Sequence, residues 1–286
     1  MLNFIVNPNA KKIGTLLEQI AEKLNEKGIE FEFLTGETKE EMREIVARLS
    51  ENPVKIIAVG GDGTLNDVLT GISHPENVEL GLIPLGTGND FAASAGIPEG
   101  IAALDLILEK EAVYTDFIDC GNGLRSMNIA GLGIDVDILE RCYRMKRGGK
   151  KSKYFRSLLA SITRYKGQKI EVTANGETYT VAAFIAAVCN GRQFGAGIPI
   201  CAPAVIDDGK LDLVVIKCPK WWKYPVLLTK LMRGKILTES IASHVLCEEA
   251  RIVQVEGSMV QLDGELVESR VLQARVVSGK LKMFRG

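Results

Sequence analysis

The chain has 286 residues, 46% of them hydrophobic, with a formal net charge of −1 and a pI near 6.2. That length holds two ordinary domains with filled cores, and the balanced charge excludes the global basic field of a nucleic-acid binder. Two histidines (His74, His244) and six cysteines without a C-x-x-C spacing argue against a zinc cluster and against a histidine-activated nucleophile. The cysteines (Cys120, Cys142, Cys189, Cys201, Cys218, Cys247) read as reduced, mostly buried thiols.

The opening residues MLNFIVNPN carry no basic stretch before an apolar run, so no secretory signal is expected. The uncharged run Thr178 to Gly191 is too short for a spanning helix, and a cytoplasmic protein follows as the expectation. LNFIV reads as an apolar strand, and Ile13, Leu16, Leu17, Ile20 and Leu24 then share one helical face. FEFL alternates as a strand does. Thr38, with Glu41 three residues on, opens a helix that turns Met42, Ile45, Val46 and Leu49 inward. KIIAV is a buried strand, followed by GGDGTLND and a helix from about Leu65. LGLIPLGTGND repeats the device of strand, glycine loop and short helix. Such alternation predicts a parallel sheet covered on both faces, with ligand loops at the carboxyl ends of its strands.

From about Cys120 the pattern changes. KIEVTANGETYTVAAFIAAV reads as two strands joined by a tight Asn175-Gly176 turn. LDLVVI, ARIVQV, MVQLDGELV and VLQARVV are further short strands, with helical stretches near Tyr154–Arg164 and Trp221–Leu237. A second, mostly antiparallel domain is expected.

The two glycine loops carry the chemistry. Glycine lets a backbone approach a ligand closely, and N–H groups leading into a helix start bind anions. Gly60, Gly61 and Gly63 offer such a cradle, with Thr64 and Asn66 as side-chain hydrogen-bonding groups. Asp62 fits an anion site if Mg²⁺ lies between carboxylate and phosphate, or if it accepts from a ribose hydroxyl. The plain alternative is a Gly-Asp-Gly turn without ligand. No G-x-x-x-x-G-K-[ST] exists, and no G-x-G-x-x-G follows the first strand, so neither a P-loop nor the ordinary dinucleotide fingerprint is present.

With GGDGTLND, PLGTGNDFA, APAVIDDGKLDLVVI and QLDGELVE in this order, the sequence resembles the diacylglycerol kinase catalytic domain family, which includes bacterial lipid kinases and sphingosine kinases. More distantly it is similar to NAD kinases and phosphofructokinases. The resemblance implies an α/β plus β fold: an NAD-kinase-like α/β domain (1–119, with a returning C-terminal strand 280–286) and a mostly antiparallel β-sandwich lipid domain (120–279), with nucleotide in the cleft. It implies ATP and Mg²⁺ as cofactors. The nucleotide would be held by Asn7, Pro8, Asn9, Ala10, Lys11, Thr35, Gly60, Gly61, Asp62, Gly63, Thr64, Leu65, Asn66, Asp67, Gly86 and Thr87. Asp67 stands where the family usually has the longer Glu, and NPNAKK departs from its frequent Ser-Gly after Asn-Pro. A structural Mg²⁺ would sit on the Asp208 side chain and the carbonyls of Val205 and Lys210; read without the family, DDGKLD is a turn.

LDGE likewise reads as a hairpin turn at Asp263-Gly264. Phosphoryl transfer to an alcohol also needs a group to take the hydroxyl proton, so Asp263 and Glu265 are the candidate catalytic residues, either one as base. The expected activity is ATP-dependent phosphorylation of a lipid hydroxyl, diacylglycerol first. A sphingoid base, phosphatidylglycerol, NAD and a non-catalytic binding role are the rivals. The G-S-T-A-Y-type segment of NAD kinases is not found. Arg141 to Ile170 holds eleven Lys/Arg and no acid, with Tyr143, Tyr154, Phe155 and Tyr165 interspersed. Lys220 to Lys235 holds both tryptophans and no acid. Both segments suit peripheral contact with an anionic membrane surface, or a solvated basic face. A homodimer is left open, and nucleic acid is not an expected partner.

Overall fold

A computed structural model describes residues 1–8, 13–145 and 149–286. The first half alternates as its periodicity predicts: β1 (Leu2–Val6), α1 (Ile13–Glu26), β2 (Phe31–Leu34), α2 (Lys39–Leu49), β3 (Val54–Gly60), α3 (Asp62–Gly71), β4 (Val78–Pro84), α4 (Asp90–Ser94) and α5 (Ile101–Glu109). All four strands are parallel, in the order β4-β3-β1-β2. The amphipathic stripe of α1 buries Leu16, Ile20 and Leu24 on the sheet. Thr38 caps α2 by accepting from the Glu41 N–H at 3.1 Å, while the Glu41 carboxylate accepts from the Glu37 N–H. The chain runs from β1 outward to β2, then back across β1 to β3. The point where strand order reverses therefore lies between the carboxyl ends of β1 and β3, where open α/β sheets place their ligand crevice.

The second half comprises β5 (Val113–Gly121), β6 (Leu124–Ser126), β7 (Ile129–Gly133), α6 (Ile134–Arg144), α7 (Lys150–Arg164), β8 (Gln168–Ala174), β9 (Glu177–Cys189), β10 (Leu211–Lys217), α8 (Tyr224–Met232), β11 (Ala242–Cys247), β12 (Glu249–Gln254), β13 (Met259–Leu262), β14 (Glu265–Glu268) and β15 (Val271–Met283). Strand pairing here is antiparallel throughout. Asn175 (φ 50°) and Gly176 (φ 79°) make the tight turn from β8 to β9. The long β9 pairs first with β8, then with β7 and β10, so one strand serves both layers of a sandwich. Alternation along β10 divides two cores. Leu211, Leu213 and Val215 face the sandwich interior with Val172, Val188 and Ile252. Val214 and Ile216 face outward beneath Leu227 of α8 and Ile138 of α6. The Trp221–Leu237 stretch is not one helix. Pro225 sits in the first turn of α8, and Gly234 (φ 66°) follows its end.

Two strands cross between the halves. Val271–Arg275 of β15 pairs with β12 and Arg275–Val277 with β5, while Lys282 and Met283 pair in parallel with Glu79 and Leu80 of β4. β5 follows β15 along both stretches. The boundaries suggested by sequence, 119/120 and 279/280, fall inside these two continuous strands.

Candidate active site

The two glycine loops meet backbone to backbone. β3 ends at Gly60, and α3 starts at Asp62 with Gly61 as an N-cap that has no side-chain cap. Leu65 is the first residue whose N–H reaches back to the Gly61 carbonyl, so the N–H groups of Asp62, Gly63 and Thr64 have no partner within the helix. The Leu85 N–H donates to the Gly60 carbonyl at 2.8 Å, which fixes the second loop beside the first. A Cβ on Gly61 would lie 2.9 Å from Gly86 Cα, and one on Gly86 would lie 2.7 Å from Gly61 Cα. Only glycine permits this approach. Thr87 and Gly86 are exposed at the rim. Asn7, at the end of β1, donates from Nδ2 to Thr64 Oγ1 at 3.1 Å, and Pro8 follows it at the surface. Thr35 is exposed just beyond β2, at the same edge of the sheet. Asn9, Ala10 and Lys11 lie outside the described residues.

Asp62 sits among acids. Burial and the neighbouring Asp90 push its pKa from 3.8 to about 6, although the Phe91 N–H donates to it at 3.2 Å. Asp90 is buried and accepts from the Gln193 side chain and from the N–H groups of Ala196 (2.8 Å) and Gly197 (2.7 Å). It ties the loop after β9 to the second glycine loop. PLGTGNDFA alone assigns Asp90 no role, because its partners stand more than a hundred residues away.

The LDGE hairpin brings the second half to the start of α3. Asp263 (φ 50°) and Gly264 (φ 86°) are the two central residues of the β13–β14 turn, both left-handed as such turns require. The Asp263 carboxylate accepts five hydrogen bonds. Oδ1 takes Ser126 Oγ (2.6 Å) and the N–H groups of Asn128 (2.9 Å) and Ile129 (3.0 Å). Oδ2 takes the Met127 N–H (2.7 Å) and Asn66 Nδ2 (3.0 Å). A carboxylate offers about four lone-pair directions, so Asp263 is saturated. Glu265 is not. It is part-exposed, its Oε2 accepts from Lys39 Nζ at 2.9 Å, and its Oε1 lies 3.0 Å from where a Cβ on Gly63 would stand. Turn and acid pair are thus both realised, with unequal carboxylates.

Asn66 spends its side chain on the Arg125 carbonyl (2.8 Å) and on Asp263. Leu65 is buried in the core. Asp67 is buried and paired with Arg43 at 2.6 Å and Lys39 at 3.9 Å; burial nevertheless holds its pKa above the ordinary value. Lys39 and Arg43 of α2 were not legible as site residues. They reach it only because α2 packs on α3.

The third site lies on the turn before β10. Asp208 is exposed, its Oδ1 accepting from the Lys210 N–H at 2.9 Å, while Asp116 Oδ2 accepts from the Gly209 N–H at 2.7 Å. Val205 is exposed beside them. Burial, then the charges of Asp208 and Asp207, raise the pKa of Asp116. Oxygen donors with excess negative charge suit a hard divalent cation. The α3 start fits a metal-bound triphosphate on the same reasoning: N–H groups without a partner inside the helix for phosphate oxygens, and an Asp62 carboxylate whose repulsion from Asp90 a cation would relieve.

Described residues of the two basic segments form part of the outer face. Trp221 and Trp222 are 76% and 56% exposed, with Val226 and Met232 of α8 open beside them. Tyr143 is exposed, Tyr154 and Tyr165 pack partly into the outer core, and the Phe155 side chain lies outside the described residues. Among the described residues, no helix is long and apolar enough to cross a membrane.

The diacylglycerol kinase catalytic domain family matches residues 1–120, and the YegS C-terminal NAD kinase beta sandwich-like domain matches residues 128–285. A protein of Xanthomonas oryzae pv. oryzae described as "Probable lipid kinase YegS-like" is 31% identical over 98% of this chain and 94% of its own length. A namesake in Xanthomonas campestris pv. campestris is 29% identical over 91% and 88%. A crystal structure of a diacylglycerol kinase from Bacillus anthracis superposes with a TM-score of 0.80 at 26% identity, covering 100% of this chain and 96% of that one. An NAD kinase from Archaeoglobus fulgidus in complex with ATP shares the fold alone, with a TM-score of 0.54 at 14% identity over 100% of this chain and 94% of that one. Fold and comparisons together define a two-domain kinase of α/β plus β-sandwich architecture. The chain belongs to the YegS-like, diacylglycerol-kinase-related family of lipid kinases.

Proposed function

We propose that the chain transfers the γ-phosphate of ATP to a hydroxyl of a membrane lipid, with diacylglycerol as the acceptor. The observation that carries this reading is the Glu265 carboxylate set against Gly63, at the uncapped start of α3. ATP would lie along the crevice between the ends of β1 and β3. The N–H groups of Asp62, Gly63 and Thr64 would hold phosphate oxygens, with Gly60, Gly61, Gly86 and Thr87 shaping the wall and Asn7 fixing Thr64. Bound Mg²⁺ would supply charge neutralisation at the phosphates. Asp62 would hold that ion, and Asp208 with the Val205 and Lys210 carbonyls a structural one.

Glu265 takes the acceptor proton in this reading. It is the one of the two hairpin acids with an oxygen left to receive it. Lys39 pairs with it at 2.9 Å and orients it before the acceptor arrives. Asp263 is a positioning residue, pinning the hairpin to residues 126–129 and to Asn66 of α3. The exposed tryptophans and lysines of 220–235 would rest on the inner, anionic face of the membrane, where the acceptor resides.

Labelled ATP presented with diacylglycerol, sphingosine, phosphatidylglycerol and NAD in parallel tests the reading. Label should enter diacylglycerol. Label in NAD alone, or in no acceptor, would overturn lipid-kinase activity; label in another lipid alcohol would correct only the acceptor.

A further inference from the structure

Away from the cleft, three side chains of metal-binding type converge on the outer face of the sandwich. Cys201 Sγ, an Asp212 carboxylate oxygen and a His244 ring nitrogen lie within 4.8 Å of one another. Sequence spacing hides the group, because its members come from a loop and two strands. Asp212 of β10 faces Cys189 of β9 across the ladder, and Val214 faces His244 of β11. Asp212, Cys189 and His244 therefore share one sheet face. Cys201 descends on that face from the loop, fixed by its N–H donating to the Arg192 carbonyl at 3.1 Å.

We propose that Cys201, Asp212 and His244 form a binding site for a borderline transition-metal ion of the Zn²⁺ class. Thiolate, imidazole and carboxylate are the zinc donor set, and bond lengths of about 2.0–2.3 Å place tetrahedral ligands roughly 3.5 Å apart. Small side-chain shifts reach that geometry from the present one. His244 Nε2 and Asp212 Oδ1 are hydrogen-bonded at 2.5 Å, a contact that metal binding would replace. Asp212 and Cys201 are buried, while the half-exposed His244 leaves a way in. Cys189, buried against Cys201, keeps its thiol proton, since burial raises its pKa well above the ordinary value.

The site has a structural consequence. Residues 190–210 form a long connection without helix or strand, and it carries both the Ala196–Gly197 anchor of Asp90 and the Asp208 turn. A metal at Cys201 clamps its middle to β10 and β11.

The test is Co²⁺ titration of the purified full chain, followed by absorption. A thiolate-to-cobalt charge-transfer band should saturate near one ion per chain. Zn²⁺ should displace it, and excess Mg²⁺ should not. Affinity should rise with pH as the ligands lose protons. Cys201→Ser should abolish the band. Should that variant fold poorly, His244→Ala, at a half-exposed position, should fold and bind about 100-fold or more weakly. Absence of the band, its persistence in Cys201→Ser, or equal affinity in His244→Ala would each overturn the site. None of these readouts depends on kinase activity.

Discussion

Asp263→Asn and Glu265→Gln should separate two acids that stand two residues apart. Asn at 263 replaces one acceptor oxygen by an NH₂ group. Turned one way, that group meets the donors Met127 N–H and Asn66 Nδ2; turned the other, it meets the N–H groups of Asn128 and Ile129. A buried donor left without an acceptor costs about 1–3 kcal/mol, so the milder orientation costs roughly 2 kcal/mol. For a chain of this size that lowers Tm by about 3 °C. Glu265 is part-exposed and, among the described residues, its ion pair is with Lys39, so Glu265→Gln should stay within about 0.5 kcal/mol of the parent. It should keep ATP affinity and lose about 100-fold or more in transfer rate, the low end for a general base. Thermal unfolding by circular dichroism, ATP binding by calorimetry and labelled-phosphate transfer measure the three quantities. Glu265→Gln transferring at close to the parent rate would remove it as the base. Asp263→Asn with the parent Tm would refute the hydrogen-bond account of the hairpin.

Asp62 and Asp135 are both raised to about 6, the first by burial and Asp90, the second by burial. An acid raised on folding stabilises below its unfolded pKa, and that contribution is lost as pH rises through its folded pKa, roughly 3 kcal/mol for each. Metal-free protein should therefore lose stability between about pH 4 and 7, and Asp62→Asn should make the slope shallower; an unchanged slope of Tm against pH would contradict this. Mg²⁺ should raise the Tm of the parent more than that of Asp208→Ala, and equal shifts would dismiss the turn before β10 as a cation site. Trp221→Ala with Trp222→Ala should weaken sedimentation with anionic vesicles, and salt should weaken it further, the Debye length being about 8 Å at physiological strength. Equal sedimentation with neutral and anionic vesicles would reject membrane docking by this face.

Local signals carried much of the fold. KIIAV before GGDG, Thr38 before Glu41, and Asn175-Gly176 between alternating strands each specify their element within ten residues. Resolution between near-equal candidates was not local. Nothing in LDGE says that Asp263 is saturated and Glu265 open, because that depends on residues 126–129 folding around the turn. Lys39, Arg43 and Asp90 stayed hidden for the same reason: each acts through a partner on another element. Helix α6 carries a short mixed stripe, Ile134, Val136 and Ile138, that competes with strand alternation and was not anticipated.

The strand shared by both halves sets an order of synthesis. β4 has β3 on one side and only the final residues of β15 on the other. When β4 leaves the ribosome, about two hundred residues remain to be made. At about 5–20 residues per second, its apolar edge waits roughly 10–40 s for Lys282 and Met283. The same residues bring Phe284 into the first core. A nascent chain cannot complete the first half before the second exists, so a chain truncated late in translation would leave an open, adhesive sheet edge.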